Sequence, residues 1–361
     1  MKNVAVIFGG QSAEHEISKM SAASVMRAIP EDKYKVIPVY ITEEGRWLLY
    51  DGSIENIKGV RWDKLGTDAI MGAGADKRGV LRVVGDKVKN IPVDIVFPVL
   101  HGKNGEDGAI QGLLELQGLP YAGCGVLASA VSLDKAYTKI IAAAAGVEQA
   151  PYLVFNRREA DAPEKISKIA EEARKSLGAA CFVKIASGGS SIGVWRAATK
   201  KALTAALKEA FELDRRVVIE KEIKGRELEC AVLGKPGNLT VSPVGEAVPA
   251  AEFYDFDAKY KSEESKTVVP AAVPEKVSEE VRGLAARVFE AVDGYGLARV
   301  DFFYDEAKQK VYFNEINTMP GFTAISMYPV LMEKSGVKLP ELLDKLLVLA
   351  CERGKTWTTD R

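Results

Sequence analysis

The sequence has no long hydrophobic run. Its longest apolar stretches, such as Val93 to Leu100, are strand-sized, well short of the roughly 20 residues that span a bilayer, and this excludes a membrane-spanning protein. It has no surplus of charge either: 49 Lys and Arg against 50 Asp and Glu leave a formal charge of -1, so no basic field gathers nucleic acid phosphates. Histidine is nearly absent, with two in 361 residues, and the four cysteines, at positions 124, 181, 230 and 351, form no C-x-x-C pair. That usage suits reduced structural thiols rather than zinc or disulfides. The apolar part of the N-terminus, Val4 to Phe8, is too short for a signal peptide and runs into Gly9-Gly10, which predicts a first strand in a cytoplasmic protein. Asn238-Leu239-Thr240 fits the glycosylation pattern but means nothing without secretion. There is no Walker A motif, because Gly354-Lys355-Thr356 has Leu349 where the first glycine should stand, and Gly9-Gly10-Gln11-Ser12 leaves a dinucleotide fingerprint incomplete.

What is present is organised for two or three compact units. Val4 to Phe8, the turn at Gly9-Gly10 and a helix capped by Ser12, with Ile17, Met20 and Val25 on its apolar face, read as strand, turn and helix ending before Pro30. Tyr34 to Ile41 and Val93 to Leu100, apolar nearly throughout, fit a parallel sheet covered on both faces, so the first third reads as doubly wound. Ser132 to Ala145 predicts one helix stopped by Gly146, followed by short strands (Tyr152 to Phe155, Cys181 to Ile185, Ile192 to Ala197, Val217 to Ile223) alternating with helices. Glu227 to Leu233 turns at Lys235-Pro236-Gly237-Asn238 into Leu239 to Val248, which is hairpin chemistry. The aromatic-bearing polar stretch 249–270 is too long for an ordinary connection and reads as a lid or as disorder. A helix from about Pro274 to Val292, strands at Ala298 to Tyr304 and Lys310 to Asn317, and two last helices complete the chain, without repeats or low-complexity tracts.

Alternation along the last strand pair puts Arg299 and Asp301 on one face of their strand, and Glu315 and Asn317 on one face of theirs. If the hairpin joins those edges, two carboxylates and an amide oxygen converge, an all-oxygen set suited to Mg²⁺. A solvated face of an edge hairpin, or a glycosidase carboxylate pair, fits the pattern too. Ser187-Gly188-Gly189-Ser190-Ser191, just after Lys184, has the glycines and hydroxyls that cradle an anion, although a Gly/Ser turn needs no ligand. His15 and His101 both follow strands, where open α/β sheets bind ligands, and each equally suits capping a turn. Glu14 lies at the start of the first helix, where the helix dipole favours a carboxylate in any case.

Together these pieces resemble the D-alanine:D-alanine ligase family of ATP-grasp enzymes. The resemblance covers nearly the whole chain through GGQSAEHEIS, HGKNGEDGAIQGLLELQGLPYAG, LDKAYTK, FVKIASGGSSIGV, IEKEIKGRELECAVLG, FYDFDAKY, ARVDFF and NEINTMPGFTAISMYP. It implies an α/β ATP-grasp fold, α+β in its C-terminal part, with units at about 1–123, 124–220 and 221–361. It implies ATP and two D-alanine molecules as substrates, two Mg²⁺ ions (Mn²⁺ as a substitute) and a homodimer. By resemblance, Asp301, Glu315 and Asn317 hold the metal ions, and Lys135, Lys184, Ser190, Ser191 and Lys259 meet the ATP phosphates. Glu220, Lys221, Ile223, Glu227, Asn314 and Glu315 line the rest of the nucleotide site. Glu14 and His101 receive the first D-alanine, Ser326 and Met327 the second, and Arg299 with the Gly321 N–H stabilises the oxyanion. Ser190 and Tyr260 link Glu14 to the lid, and Tyr260 favours an amine as second substrate. The chain departs from the family at Ile185, where a proline is usual, and at Ser187, where an asparagine is usual, so altered packing is expected under the phosphate loop. A D-alanine:D-serine or D-alanine:D-lactate ligase, and a nucleotide binder without catalysis, remain as alternatives.

Overall fold

Val4 to Phe8 are fully buried, and a strand apolar on both faces needs cover on both. That requirement sets the first sheet of the computed structural model, which describes residues 1–50, 52, 54, 66–72, 74, 78–189, 193–248 and 266–359. Strands β1 (Lys2–Gly9), β2 (Tyr34–Ile41), β3 (Trp47–Tyr50), β4 (Gly66–Ile70), β5 (Gly79–Val84), β6 (Lys87–Pro92) and β7 (Ile95–Val99) lie in the order β6-β5-β4-β3-β2-β1-β7. Only β2, β1 and β7 run parallel. The rest add an antiparallel wing that the sequence pattern does not reveal, because strands such as β6, KVKNIP, are mostly exposed and lack an apolar frame.

Helix α1 (His15–Ala28) follows β1, with Glu14 rather than Ser12 at its cap position. The Ser12 hydroxyl instead accepts from the Glu14 N–H at 3.1 Å. Met20, expected on the apolar face, is exposed. After α2 (Ala109–Leu116), the single helix predicted from Ser132 divides into α3 (Val126–Leu133) and α4 (Lys135–Ala144). The break is at Asp134, whose carboxylate takes the N–H groups of Ala136 and Tyr137 at 3.1 and 3.3 Å. A side chain that competes for helix N–H groups starts a helix rather than continuing one.

The second sheet is antiparallel, in the order β10-β9-β11-β8, from β8 (Tyr152–Asn156), β9 (Cys181–Ile185), β10 (Val194–Ala197) and β11 (Arg216–Lys221). Helices α5 (Pro163–Leu177) and α6 (Lys200–Leu213) cover one side and share its core. The third sheet comprises β12 (Arg226–Lys235), β13 (Asn238–Val241), β14 (Gly245–Val248), β15 (Lys266–Val268), β16 (Gly296–Asp305) and β17 (Lys310–Asn317). Its first turn is the expected hairpin, with Gly237 at φ +77. The return strand is split at Ser242-Pro243-Val244, and β15 occupies the end of the stretch expected as a lid, the remainder of which (249–265) lies outside the described residues. Helix α7 (Glu275–Ala291) backs this sheet, and α8 (Met327–Lys334) and α9 (Leu339–Thr359) end the chain. Among the described residues no helix is long and apolar enough to cross a membrane.

One hydrophobic core joins the two ends of the chain. Val4, Val6 and Phe8 of β1 belong to the same buried cluster as Leu233 of β12 and Leu342, Leu343, Leu346 and Leu347 of α9. Asp344 fixes the register, accepting from Lys33 at 2.7 Å and from the Tyr34 hydroxyl at 2.8 Å. Leu346→Ala should therefore cost about 2–5 kcal/mol and speed amide hydrogen exchange in both β1 and β12. Faster exchange confined to α9 would mean that the two sheets do not share a core.

Candidate active site

The third sheet sets a row of acids. Glu229 on β12 lies opposite Asp301 on β16, and Asp301 opposite Glu315 on β17, while Ala231, Arg299 and Asn317 form the neighbouring row. Like charges directly across strands repel, and two cations offset this. Arg299 donates to both oxygens of Asp301 at 2.8 and 2.7 Å and lies 2.8 Å from Glu229. Lys135 of α4 reaches Glu315 at 3.3 Å and donates to the Gly188 carbonyl at 2.6 Å. The Asn317 amide N–H₂ donates to Asp301 at 3.0 Å. The pairing shifts between Asp301 and Phe302, so that Phe302 faces Phe313 and Asn314 is an extra residue on β17. Such a bulge re-aims side chains, and Asn314 here accepts from Lys184 of β9 at 3.1 Å.

Lys184 also donates to Glu220 of β11 at 2.9 Å. Burial alone would raise the Glu220 carboxyl, but Lys139 and Lys184 outweigh it and hold the group at about 2. Glu220 therefore sits behind Lys184 as its counter-ion. Lys135 N–H bonds to the Ala186 carbonyl at 2.8 Å, and the Ser187 N–H and hydroxyl both donate to Asp214, at 2.8 and 2.7 Å. Ile185 packs against Gly193, where a Cβ would lie 2.6 Å from the Ile185 Cδ1. The two departures from the family pattern are thus accommodated by a serine bonded to Asp214 and an isoleucine seated on a glycine.

The first sheet contributes a second, smaller group. His101 faces the Met319 carbonyl through Nδ1 at 2.9 Å, and because a carbonyl only accepts, Nδ1 carries the proton. Nε2 then accepts from the Ser21 hydroxyl at 3.3 Å, and Ser21 accepts from the Phe322 N–H at 3.1 Å. Burial pushes the His101 imidazole below its ordinary value, with the Glu14 charge opposing. Glu106 accepts from the N–H groups of Gly102 and Met319 at 2.8 and 3.1 Å. These bonds hold the loop that carries Gly321 against the first sheet. Glu14 is buried, and Cβ atoms placed on Gly102 and Gly189 would come within 2.7 and 3.2 Å of its carboxylate; at Gly102, where φ is +68, the backbone itself also favours glycine.

Two cavities result. A cleft of about 490 Å³ between the second and third sheets is lined by Lys184, Lys221, Ile223, Glu227 and Asn314 among others, and a polar pocket of about 40 Å³ by Glu14, His101, Arg299, Asn317 and Gly321. Lys135, Gly188 and Glu315 line both. A wider groove of about 750 Å³ at the same junction shares Lys221, Glu222, Lys224, Gly225 and Arg226 with the cleft but has none of the lysines or acids just described on α4, β9 and β17.

Of the residues singled out from sequence, Ser190, Ser191, Lys259 and Tyr260 lie outside the described residues. Ser326 is at the cap position of α8 and accepts from the Thr323 N–H at 3.0 Å, near Gly321. Met327 is buried in the shared core. Glu106, Glu229, Ser21 and Lys139 were not anticipated. Lys139 was discoverable, standing one helical turn after Lys135; Glu229 shares the strand face of Glu227; Glu106 reads as a solvated acid beside glycines; and Ser21 gives no signal. His15, left open from sequence, bonds Gly10 O and the Tyr40 hydroxyl at 2.7 and 3.0 Å, which is a role in the turn.

Asp301, Glu315 and Asn317 offer two carboxylates and an amide oxygen, and among the described residues no group of three or more His, Cys, Asp or Glu is placed to hold a metal ion by itself. A donor set this small suits Mg²⁺, which keeps waters and takes remaining ligands from substrate phosphates.

A family model described as "D-ala D-ala ligase N-terminus" matches residues 3–124, and "D-ala D-ala ligase C-terminus" matches 141–348. Proteins of Caldicellulosiruptor bescii and Acetivibrio thermocellus named D-alanine--D-alanine ligase are 46% and 48% identical, each match covering 98% of this chain and 96% of the relative. The VanG D-Ala:D-Ser ligase from Enterococcus faecalis superimposes with a TM-score of 0.87 at 36% identity, covering 97% of this chain and 99% of that one. The D-alanine-D-alanine ligase from Coxiella burnetii gives 0.85 at 35%, covering 99% and 98%.

Burial, reinforced by the Glu14 charge, raises Glu106 from 4.5 to about 8. Between those values the folded chain keeps a proton that the unfolded chain has released, so stability should fall as pH rises from about 4.5 to about 8. Urea denaturation across that range tests it: Glu106→Gln should lack this part of the decline, whatever its absolute stability, and an identical decline would refute the assignment.

Proposed function

This chain belongs to the D-Ala–D-Ala ligase family, and from that we propose that it joins two D-alanine molecules into D-alanyl-D-alanine, with ATP converted to ADP and phosphate, for peptidoglycan precursor synthesis. The observation that carries the reading is the meeting of the two cavities at Lys135, Gly188 and Glu315. A nucleotide in the large cleft would present its terminal phosphate where a small amino acid in the polar pocket presents its carboxylate.

In this reading the γ-phosphoryl group passes to the carboxylate of the first D-alanine, giving an acyl phosphate and ADP. The amine of the second D-alanine attacks the acyl carbon, the tetrahedral intermediate collapses, and phosphate leaves. Both steps build negative charge, so fixed cations and donors carry the catalysis. Lys135 and Lys184 meet the phosphates, Lys221, Ile223 and Glu227 line the rest of the nucleotide, and Asp301, Glu315 and Asn317 would hold Mg²⁺, which when bound neutralises phosphate charge. Glu14 takes the ammonium of the first D-alanine. His101, neutral and with its proton on Nδ1, holds the loop from Met319 to Phe322, so that the Gly321 N–H and Arg299 face the oxyanion. The N-terminus of α8 at Ser326 and Met327 receives the second D-alanine. Ser190, Lys259 and Tyr260 would complete the phosphate contacts and the link from Glu14 to the lid, which excludes water from the acyl phosphate. The division at 1–123, 124–220 and 221–361, the homodimer and the cytoplasmic location belong to the same reading.

Mg²⁺-dependent phosphate release should appear with D-alanine as the sole amino acid, together with the dipeptide. Release only with D-alanine plus D-serine or D-lactate would move the chain to the neighbouring ligases, and nucleotide binding without release would make it a non-catalytic binder. Glu315→Ala should lower turnover by at least about 100-fold with the fold intact; turnover near wild type would remove Glu315 from the metal set.

A further inference from the structure

Lys139 lies on α4 with 1% of its surface exposed, its Nζ 3.1 Å from one oxygen of Glu220 and 5.2 Å from the centre of the Tyr152 ring. The other Glu220 oxygen takes Lys184 at 2.9 Å. Glu220 is itself buried at the wall of the cleft, and its one carboxylate is shared by two lysines, so that with both protonated the trio carries a net positive charge. Lys139 lines none of the three cavities described above, whereas Lys184 lines the large cleft and bridges to Asn314 on the opposite sheet. Burial lowers Lys139, and Glu220 is what opposes it, so the carboxylate holds the lysine as the lysine holds the carboxylate. If Lys139 were absent, Glu220 would cancel the charge of Lys184 within a low-dielectric wall, where such cancellation acts at full strength.

We propose that Lys139 is a positioning residue for nucleotide binding: by holding one oxygen of Glu220 it leaves Lys184 with net positive charge to offer the phosphates of an adenine nucleotide. The inference rests on reading the cleft as the nucleotide site. It gives Glu220, which also lines the cleft, the further task of supporting a phosphate-binding lysine.

Calorimetric titration of the full chain with ADP and with adenosine, each in Mg²⁺, tests it without requiring turnover. Lys139→Met should weaken ADP about tenfold and leave adenosine within about twofold of wild type. Adding Glu220→Gln to Lys139→Met removes the carboxylate that needs neutralising and should restore ADP to within about threefold of wild type. Unchanged ADP affinity in Lys139→Met, equal losses for ADP and adenosine, or no recovery in the double variant would each overturn the proposal. Failure of the wild-type chain to bind ADP would instead sink the reading of the cleft itself. Should circular dichroism show Lys139→Met unfolded, the double variant decides, with near-wild-type ADP affinity in support and its loss against.

Discussion

Repulsion among acids placed side by side on one sheet is the constraint from which the rest of the site follows. Glu229, Asp301 and Glu315 oppose one another across three strands, and the sheet needs cations there before any substrate arrives. Arg299 comes from the sheet itself, while Lys135 comes from a helix that packs on the second sheet through Ala136 and into the core of the third through Ala142. The acids of the third sheet thereby help fix the helix that lies between the two. That helix has its start set by Asp134, and its first N–H is bonded to the loop after β9. Charge compensation in the third sheet thus places the glycine loop beside Glu14, and the walls of both cavities with it.

The bulge in β17 divides labour along one strand. Without an extra residue, Asn314 and Glu315 would point to opposite faces. With it, Asn314 reaches across to Lys184 while Glu315 remains opposite Asp301. The second and third sheets are thereby joined by a lysine–amide bond at the mouth of the cleft, and a change in the distance between them would be felt directly at a residue facing the ligand.

Most of the architecture was legible because the elements near the site are strongly patterned. β2, β9 and β17 fall where alternation or continuous apolar character puts them. The antiparallel wing was not legible, because exposed strands carry no hydrophobic period. The helix break at Asp134 was hidden because an acid amid helix formers reads as a solvated position until its partners are known. At the site, residues with a sequence motif were found, whereas those acting through another residue were not. Ser21 and Glu229 gain their meaning only when Phe322 and Arg299 arrive from far along the chain, and Glu220 has the same letters whether it faces a ligand or a buried lysine.

The core shared by the first strand and the last helix has a consequence for synthesis on the ribosome. Val4, Val6 and Phe8 emerge with α1, which shares their cluster through Ala22, Val25 and Met26, but more than 300 residues before the leucines of α9. At roughly 5–20 residues per second, that part of the core waits for tens of seconds with only α1 as cover. During that interval an apolar surface is open to other nascent chains, so the protein's dependence on chaperones would be set by the order in which its pieces are made and not by its final stability.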